Sequence, residues 1–212
     1  MIDWIRDLLS HEEFRMMGHC QRPEDNNLGL GWLYYALPRI QLSGIAVVIG
    51  SYRGFVPLLI AKALGDNKEQ GEVLFIDPSK WDPFWTDPAA VTAHFQRFGV
   101  RNIRHFLMTT QEFVKTETYQ SLSNIGLLFI DGHHTYEQVR FDFEAFEFKL
   151  SADFIAFFHD SMSVTPESYG GSKDFHVTGV TFFMDELAKR PDMQVFDFSP
   201  PERPGLFSTG LS

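Results

Sequence analysis

The stretch Ile45–Leu64, IAVVIGSYRGFVPLLIAKAL, decides the fold. An unbroken apolar run, Ile45–Ile49, leads into Gly50, and an apolar helical pattern begins at Gly54. A strand that is apolar on both faces is typical of a parallel sheet covered by helices. Glycine at both ends of the turn permits a positive φ and a close approach of the backbone to a ligand. The stretch therefore predicts a strand, a tight turn and a helix N-terminus able to face an anionic or polar ligand.

Downstream of this stretch, apolar runs alternate with helical patterns. Further strands are predicted at Glu72–Ile76, Asn102–Met108, Ile125–Ile130 and Phe154–Phe158, and two closing strands at Met193–Phe198 and Gly205–Leu211. Such alternation predicts an α/β fold with a mostly parallel sheet and helices on both faces. The closing pair is expected to be antiparallel at one edge. The long polar loop after Asp160 could serve as an active-site lid.

The segment Phe141–Phe148, FDFEAFEF, can be interpreted in two ways. Its near-alternation of apolar and acidic residues is typical of a strand. Val139, Phe143 and Phe146, however, lie on one helical face, and two parallel strands need a crossover between them. We therefore predict a helix here.

The N-terminal part of the chain predicts two helices, Ile2 to about Met17 and Leu28–Leu37, the second stopped by Pro38. At 212 residues the chain suits one domain, with residues 1–40 as a helical cap and residues 41–212 as the core. The first residues lack a basic segment followed by an apolar core, so no signal peptide is expected.

Composition excludes several function classes. The formal net charge of −10 argues against binding nucleic acid, which requires a basic face, and against a polybasic membrane surface. No uncharged apolar run reaches the roughly 18 residues of a membrane span. The single cysteine, Cys20, suits a reducing compartment, and a cytoplasmic location is expected.

Polar residues follow the predicted strands at one end of the sheet, where open α/β sheets bind ligands. They are Gly50, Asp77, Asp131, His159 and Asp160. A carboxylate after the second strand can accept hydrogen bonds from a ribose diol. It can also merely cap the turn before Pro78, and the sequence leaves both roles open.

Four segments, GSYRG, FIDP, LLFIDGHHTYEQVRFDFEAF and FIAFFHDS, together resemble the class I S-adenosylmethionine-dependent methyltransferases. The resemblance is strongest to methyltransferase family 24, and the chain is similar also to macrocin-type O-methyltransferases and cephalosporin-hydroxylase-like proteins. It covers about Ile45–Leu211. It implies a Rossmann-like seven-stranded sheet and transfer of a methyl group to a small molecule, at oxygen.

The resemblance also implies roles for individual residues. Residues Gly50, Ser51, Tyr52 and Gly54 would wrap the methionine part of S-adenosylmethionine, Asp77 and Asp131 would contact the cofactor, and Thr110 and Gln111 would lie near the adenine. Many members carry an acid two positions before the first glycine. This chain has Val48 there, so that contact to the methionine amino group must come from elsewhere or be missing.

Two ways of removing the proton from the acceptor hydroxyl remain open, a metal ion and a general base. In metal-dependent relatives, carboxylates after the fourth and fifth strands hold Mg²⁺, and here Asp131 and Asp160 occupy those positions. Histidine is a poor Mg²⁺ ligand, so His159 suggests either a transition metal or a general base. His134 is either catalytic or a buried structural histidine.

The rival functions are a nicotinamide-dependent oxidoreductase and a domain that keeps the fold without the chemistry. GSYRG does not match G-x-G-x-x-G, which disfavours the first. The expected partner is a small-molecule acceptor, with a second copy of the chain left open.

Overall fold

The computed structural model describes residues 1–15, 18–40, 44–67, 71–79, 83–161, 178–198 and 209–211. Its sheet consists of the strands β1 (Ile45–Ile49), β2 (Glu72–Ile76), β3 (Ile103–Phe106), β4 (Ile125–Ile130), β5 (Leu150–His159), β6 (Phe196–Asp197) and β7 (Thr209–Leu211). The first five are parallel, in the order β3-β2-β1-β4-β5. The short β7 and β6 follow beyond β5, and each runs antiparallel to its neighbour in the sheet. The strand β6 is shorter than predicted, and residues 205–208 of the last predicted strand lie outside the described residues. The predicted Rossmann-like α/β arrangement is confirmed.

The helices surround this sheet. They are α1 (Ile2–Ser10), α2 (Gly31–Ile40), α3 (Phe55–Gly65), α4 (Pro88–Arg97), α5 (Thr110–Phe113), α6 (Glu117–Ser121), α7 (Tyr136–Glu147) and α8 (Thr178–Leu187). The ambiguous segment belongs to α7, so the helix prediction is confirmed. The predicted first helix is too long, because His11 takes an extended conformation that ends α1. The predicted stop at Pro38 is wrong, since α2 continues to Ile40 with the proline in its last turn.

The two faces of the sheet pack against separate hydrophobic cores. In β1, Ala46 and Val48 join the core that includes residues of α1 to α4. Val47 and Ile49, which point to the opposite face, join the core formed with α5 to α8. Successive side chains of a strand point to opposite faces, so an unbroken apolar strand serves both cores.

The N-terminal cap is part of the first core. Ile5, Leu8 and Leu9 of α1 are buried, and the Trp4 indole N–H donates to the Phe98 carbonyl at 2.8 Å. Tyr34 of α2 is also buried, and it packs edge-on against aromatic rings of β4 and β5. The predicted lid after Asp160 lies outside the described residues. No helix in the described part of the chain is long and apolar enough to cross a membrane.

The strand order reverses between β1 and β4, and the backbones meet closely there. The Gly50 N–H donates to the Ile76 carbonyl at 2.9 Å, and the Asp131 N–H donates to the Ile49 carbonyl at 2.8 Å. Gly50 has a φ of +71°, and a Cβ on it would lie 2.2 Å from the Asp131 carbonyl oxygen. The glycine is therefore required by the contact between two strand ends, before any ligand is considered.

We expect Gly50→Ala to destabilise the fold more than Gly99→Ala. Gly99 has a similar φ of +73°, but a Cβ there would meet nothing within 4 Å. Gly99→Ala should thus cost only the left-handed backbone penalty, about 1 kcal/mol, whereas Gly50→Ala adds a collision and should cost about 3 kcal/mol. Urea unfolding followed by circular dichroism measures both. If both variants lose the same free energy of unfolding, β4 moves away from position 50 and relieves the collision.

Candidate active site

A cavity of about 640 Å³ opens at the carboxyl ends of β1, β2 and β4. Most of the residues predicted to bind the cofactor line it together: Gly50, Ser51, Tyr52, Asp77, Thr110, Gln111 and Asp131. This is the reversal point of the strand order, where open α/β sheets bind their ligands. The structure therefore brings residues from four separate segments to one pocket.

Two side chains contact the backbone carbonyl groups of the glycine turn after β1. The Trp85 indole N–H donates to the Tyr52 carbonyl at 2.8 Å, and His94 Nε2 lies 3.1 Å from the Arg53 carbonyl oxygen. Gly54 has a φ of +85°, and a Cβ there would lie 2.9 Å from the Trp85 ring. Gly54 thus allows the indole to pack against the turn, and it does not line the cavity as the other predicted residues do.

Asp77 follows β2 and lies beside the glycine turn. Its Oδ1 accepts a hydrogen bond from the Ser79 N–H at 2.7 Å, and the carboxylate also accepts from the Ser51 backbone. Burial raises the pKa of Asp77 despite these bonds. The capping role left open by the sequence is therefore present. A carboxylate has about four lone-pair positions, so it can still accept hydrogen bonds from a ligand in the cavity.

At the far end of the cavity, the predicted residues Thr110 and Gln111 join a series of hydrogen-bonded side chains whose other members, Gln138 and Asp142, the sequence did not predict. Gln111 Nε2 donates to Gln138 Oε1 at 2.7 Å, and Gln138 Nε2 donates to Asp142 Oδ1 at 2.8 Å. Thr110 also hydrogen-bonds to Asp142, which is 1% exposed. Burial raises the pKa of Asp142 to about 6. Asp142 looks like one of several acids on an amphipathic helix, and only the fold reveals that it faces inward.

At the other end of the cavity, Asp131 belongs to a cluster of acids and histidines. His134 Nε2 lies 3.3 Å from Asp131 Oδ1, and its Nδ1 lies 3.2 Å from Asp160 Oδ2. His159 Nδ1 lies 3.1 Å from one oxygen of each carboxylate. Neither His159 contact is aligned as a hydrogen bond, and Asp160 Oδ1 has no hydrogen-bond partner among the described residues. The cluster is held by charge more than by directed bonds.

The electrostatics of this cluster follow from its burial and its charges. Burial alone would lower the pKa of His159, but the charges of Asp131 and Asp160 outweigh it and raise that pKa to about 10. Burial alone would lower the pKa of His134 too, but its hydrogen bond to Asp131 and the charges of Asp131 and Asp160 together raise it. Burial would raise the pKa of Asp131, yet the two histidines hold it well below its usual value. At neutral pH the His159 imidazolium thus offsets the charge of the Asp131 carboxylate.

His19 completes the surroundings of His159, and no pattern in the sequence predicted this contact. Its ring centroid lies 4.6 Å from that of His159, and its Nδ1 lies 3.3 Å from the Tyr34 hydroxyl oxygen. Burial, followed by the charge of His159, lowers the pKa of His19 to about 3, so it is neutral. A neutral ring from the N-terminal cap therefore covers the charged imidazole.

Three of these side chains have the arrangement of a cation site. One ligand atom from each of Asp131, His134 and Asp160 can be chosen so that all lie within 4.8 Å of one another. Asp131 and Asp160, which occupy the positions of the metal ligands in metal-dependent relatives, therefore lie close together, and His134 joins them.

The chain is similar in structure to several solved methyltransferases. The O-methyltransferase TomG from Streptomyces achromogenes, solved with SAM, is 15% identical at a TM-score of 0.70, over 99% of this chain and 88% of TomG. The O-methyltransferase from Bacillus cereus, solved with SAH, is 14% identical at a TM-score of 0.68, over 99% and 88% of the respective chains. At these identities the likeness shows a shared fold.

Comparison with curated proteins gave no match. A family model described as a methyltransferase domain, methyltransferase family 24, matches residues 47–161, which include β1 to β5 and most of the residues of the cavity and cluster. The chain therefore belongs to this family of methyltransferase domains.

Proposed function

We propose that the domain transfers the methyl group of S-adenosylmethionine to an oxygen atom of a small molecule. The observation that carries the proposal is the single cavity that joins the glycine turn, Asp77 and the Thr110–Gln111 segment, with Asp131 at its edge. Its volume of about 640 Å³ lies within the range of small-molecule and cofactor sites. Two solved neighbours were crystallised with SAM or SAH, which supports the choice of cofactor.

The cofactor would lie along the strand ends. The backbone of Ser51 and Tyr52 suits the methionine part, the Asp77 carboxylate suits the ribose hydroxyls, and the Thr110–Gln111 end suits the base. This order brings the sulfonium toward Asp131, which, like His134, belongs both to the cavity lining and to the charged cluster. Methyl transfer is an in-line displacement, so holding the acceptor oxygen next to the sulfonium is the main task of the protein.

The acceptor hydroxyl must also lose its proton, and two routes fit the cluster. Asp131, His134 and Asp160 suit a divalent cation, since Asp160 Oδ1 is buried without a hydrogen-bond partner in the described part of the chain. Two carboxylates and an imidazole are ligands for Mn²⁺, Fe²⁺ or Zn²⁺ more than for Mg²⁺. Such a cation would lower the pKa of a bound hydroxyl. Without it, His159 could accept the proton only after losing its own, which its pKa of about 10 opposes.

We expect S-adenosylmethionine or S-adenosylhomocysteine to raise the melting temperature, whereas NAD does not. A ligand at a hundredfold excess over Kd adds about 2.7 kcal/mol to the free energy of unfolding. The turn GSYRG lacks the glycine pattern that admits a pyrophosphate. Differential scanning fluorimetry with each compound measures this. Stabilisation by NAD alone would favour an oxidoreductase, and no stabilisation by either would favour a domain without the chemistry.

We expect Asp160→Asn to weaken Mn²⁺ binding at least about tenfold while leaving the affinity for S-adenosylhomocysteine unchanged. Asp160 belongs to the cluster and does not line the cavity, so the two affinities separate. Isothermal titration calorimetry with Mn²⁺ alone and with S-adenosylhomocysteine alone gives both. Asp153→Asn, at the exposed start of β5, is the matched control. If the wild type shows no Mn²⁺ affinity, the cation route is wrong and His159 remains.

A further inference from the structure

We infer that the side-chain series Asp142–Gln138–Gln111, here called the amide relay, makes the base end of the cavity selective for an amino-purine over an oxo-purine. The inference rests on the proposed function, because it concerns the base of a nucleoside ligand in that same cavity. All three residues line the cavity. They lie on two elements, α5 and α7, that the fold brings together at its far end.

The relay begins at a group that can only accept hydrogen bonds. Asp142 is 1% exposed, and its Oδ1 accepts from Gln138 Nε2 at 2.8 Å. Thr110 hydrogen-bonds to the same carboxylate. Burial raises the pKa of Asp142 to about 6, so at pH 8 the group is ionised and has no proton to donate. The carboxylate therefore fixes which end of the Gln138 amide faces it.

The orientation of the Gln138 amide in turn sets the orientation of the Gln111 amide, which faces the ligand. Since the Gln138 nitrogen is committed to Asp142, its Oε1 faces Gln111 and accepts from Nε2 at 2.7 Å. Reversing Gln138 would put its carbonyl oxygen against a buried carboxylate and remove one of the two side-chain donors that Asp142 has in the described part of the chain, a costly arrangement. Among the residues that the structure describes, Gln111 Oε1 is left as the acceptor at the end of the relay. Gln111 is exposed at the cavity, where a ligand can reach it.

An acceptor at this place distinguishes two closely similar bases. Adenine carries an exocyclic amino group, which donates, whereas hypoxanthine carries a carbonyl oxygen at the same position, which would face Gln111 Oε1 unfavourably. A site built to pair with a donor rejects an analogue that lacks it, because its polar group is left unpaired. One such hydrogen bond corresponds to about a tenfold difference in affinity.

The test compares S-adenosylhomocysteine with S-inosylhomocysteine by isothermal titration calorimetry at pH 8. The wild type should bind the adenosyl compound at least about tenfold more tightly. Asp142→Asn should reduce this ratio to below about threefold, because an amide can donate as well as accept and lets Gln138 reverse. Glu144→Gln makes the same acid-to-amide change on the exposed face of α7, and it should keep the wild-type ratio.

A second variant tests the relay without changing a buried residue. Gln111→Leu lies at an exposed position, so the fold is retained, and it should weaken binding of the adenosyl compound about tenfold with little effect on the inosyl compound. Equal affinities in the wild type would overturn the relay and leave the proposed function intact. A wild-type ratio that persists in folded Asp142→Asn, or in Gln111→Leu, would overturn it too. Failure of both compounds to bind would overturn the proposed function itself.

Discussion

The contact between Gly50 and the Asp131 carbonyl is the constraint on which the site depends. It closes the ends of β1 and β4 on one another at the point where the strand order reverses. A side chain at position 50 would hold these ends apart. Because they meet, Asp131 emerges beside the glycine turn, with its backbone hydrogen-bonded to β1 and its carboxylate next to the cavity. The position of one glycine thus places the residue that links the cofactor cavity to the charged cluster.

The charged cluster is costly to bury, and its composition explains how the fold tolerates it. Asp131 and Asp160 would repel each other if they were alone, but His134 and His159 lie within ion-pair distance of both. Charges removed from water need compensation by partners of opposite sign. Asp160 also has a φ of +57°, an uncommon conformation for a residue other than glycine. Strain and imperfect hydrogen bonding are features of sites whose partners change during function.

The sequence predicted the elements that follow from local pattern, and it missed contacts that depend on distant segments. Unbroken apolar runs predicted β1, β2 and β4 correctly, and the need for a crossover identified α7 as a helix. Gly50 was expected at a turn, but its expected reason, close approach of a ligand, was incomplete, since β4 already requires it. No local signal marks Asp142 as inward-facing or His19 as a neighbour of His159. Asp142 lies far in sequence from Thr110, and His19 lies far from His159.

The residues around the charged cluster come partly from the family match and partly from outside it. Residues 47–161 include the cavity and the cluster, whereas His19 and Tyr34 belong to the N-terminal cap outside the match. Val48 lies in the same apolar core as Tyr34, Phe129 and Phe157. An acid at position 48 would place a charge in this core, at a cost that no described partner offsets. An uncharged residue at position 48 therefore suits this core, and the cap is the segment that places His19 against His159.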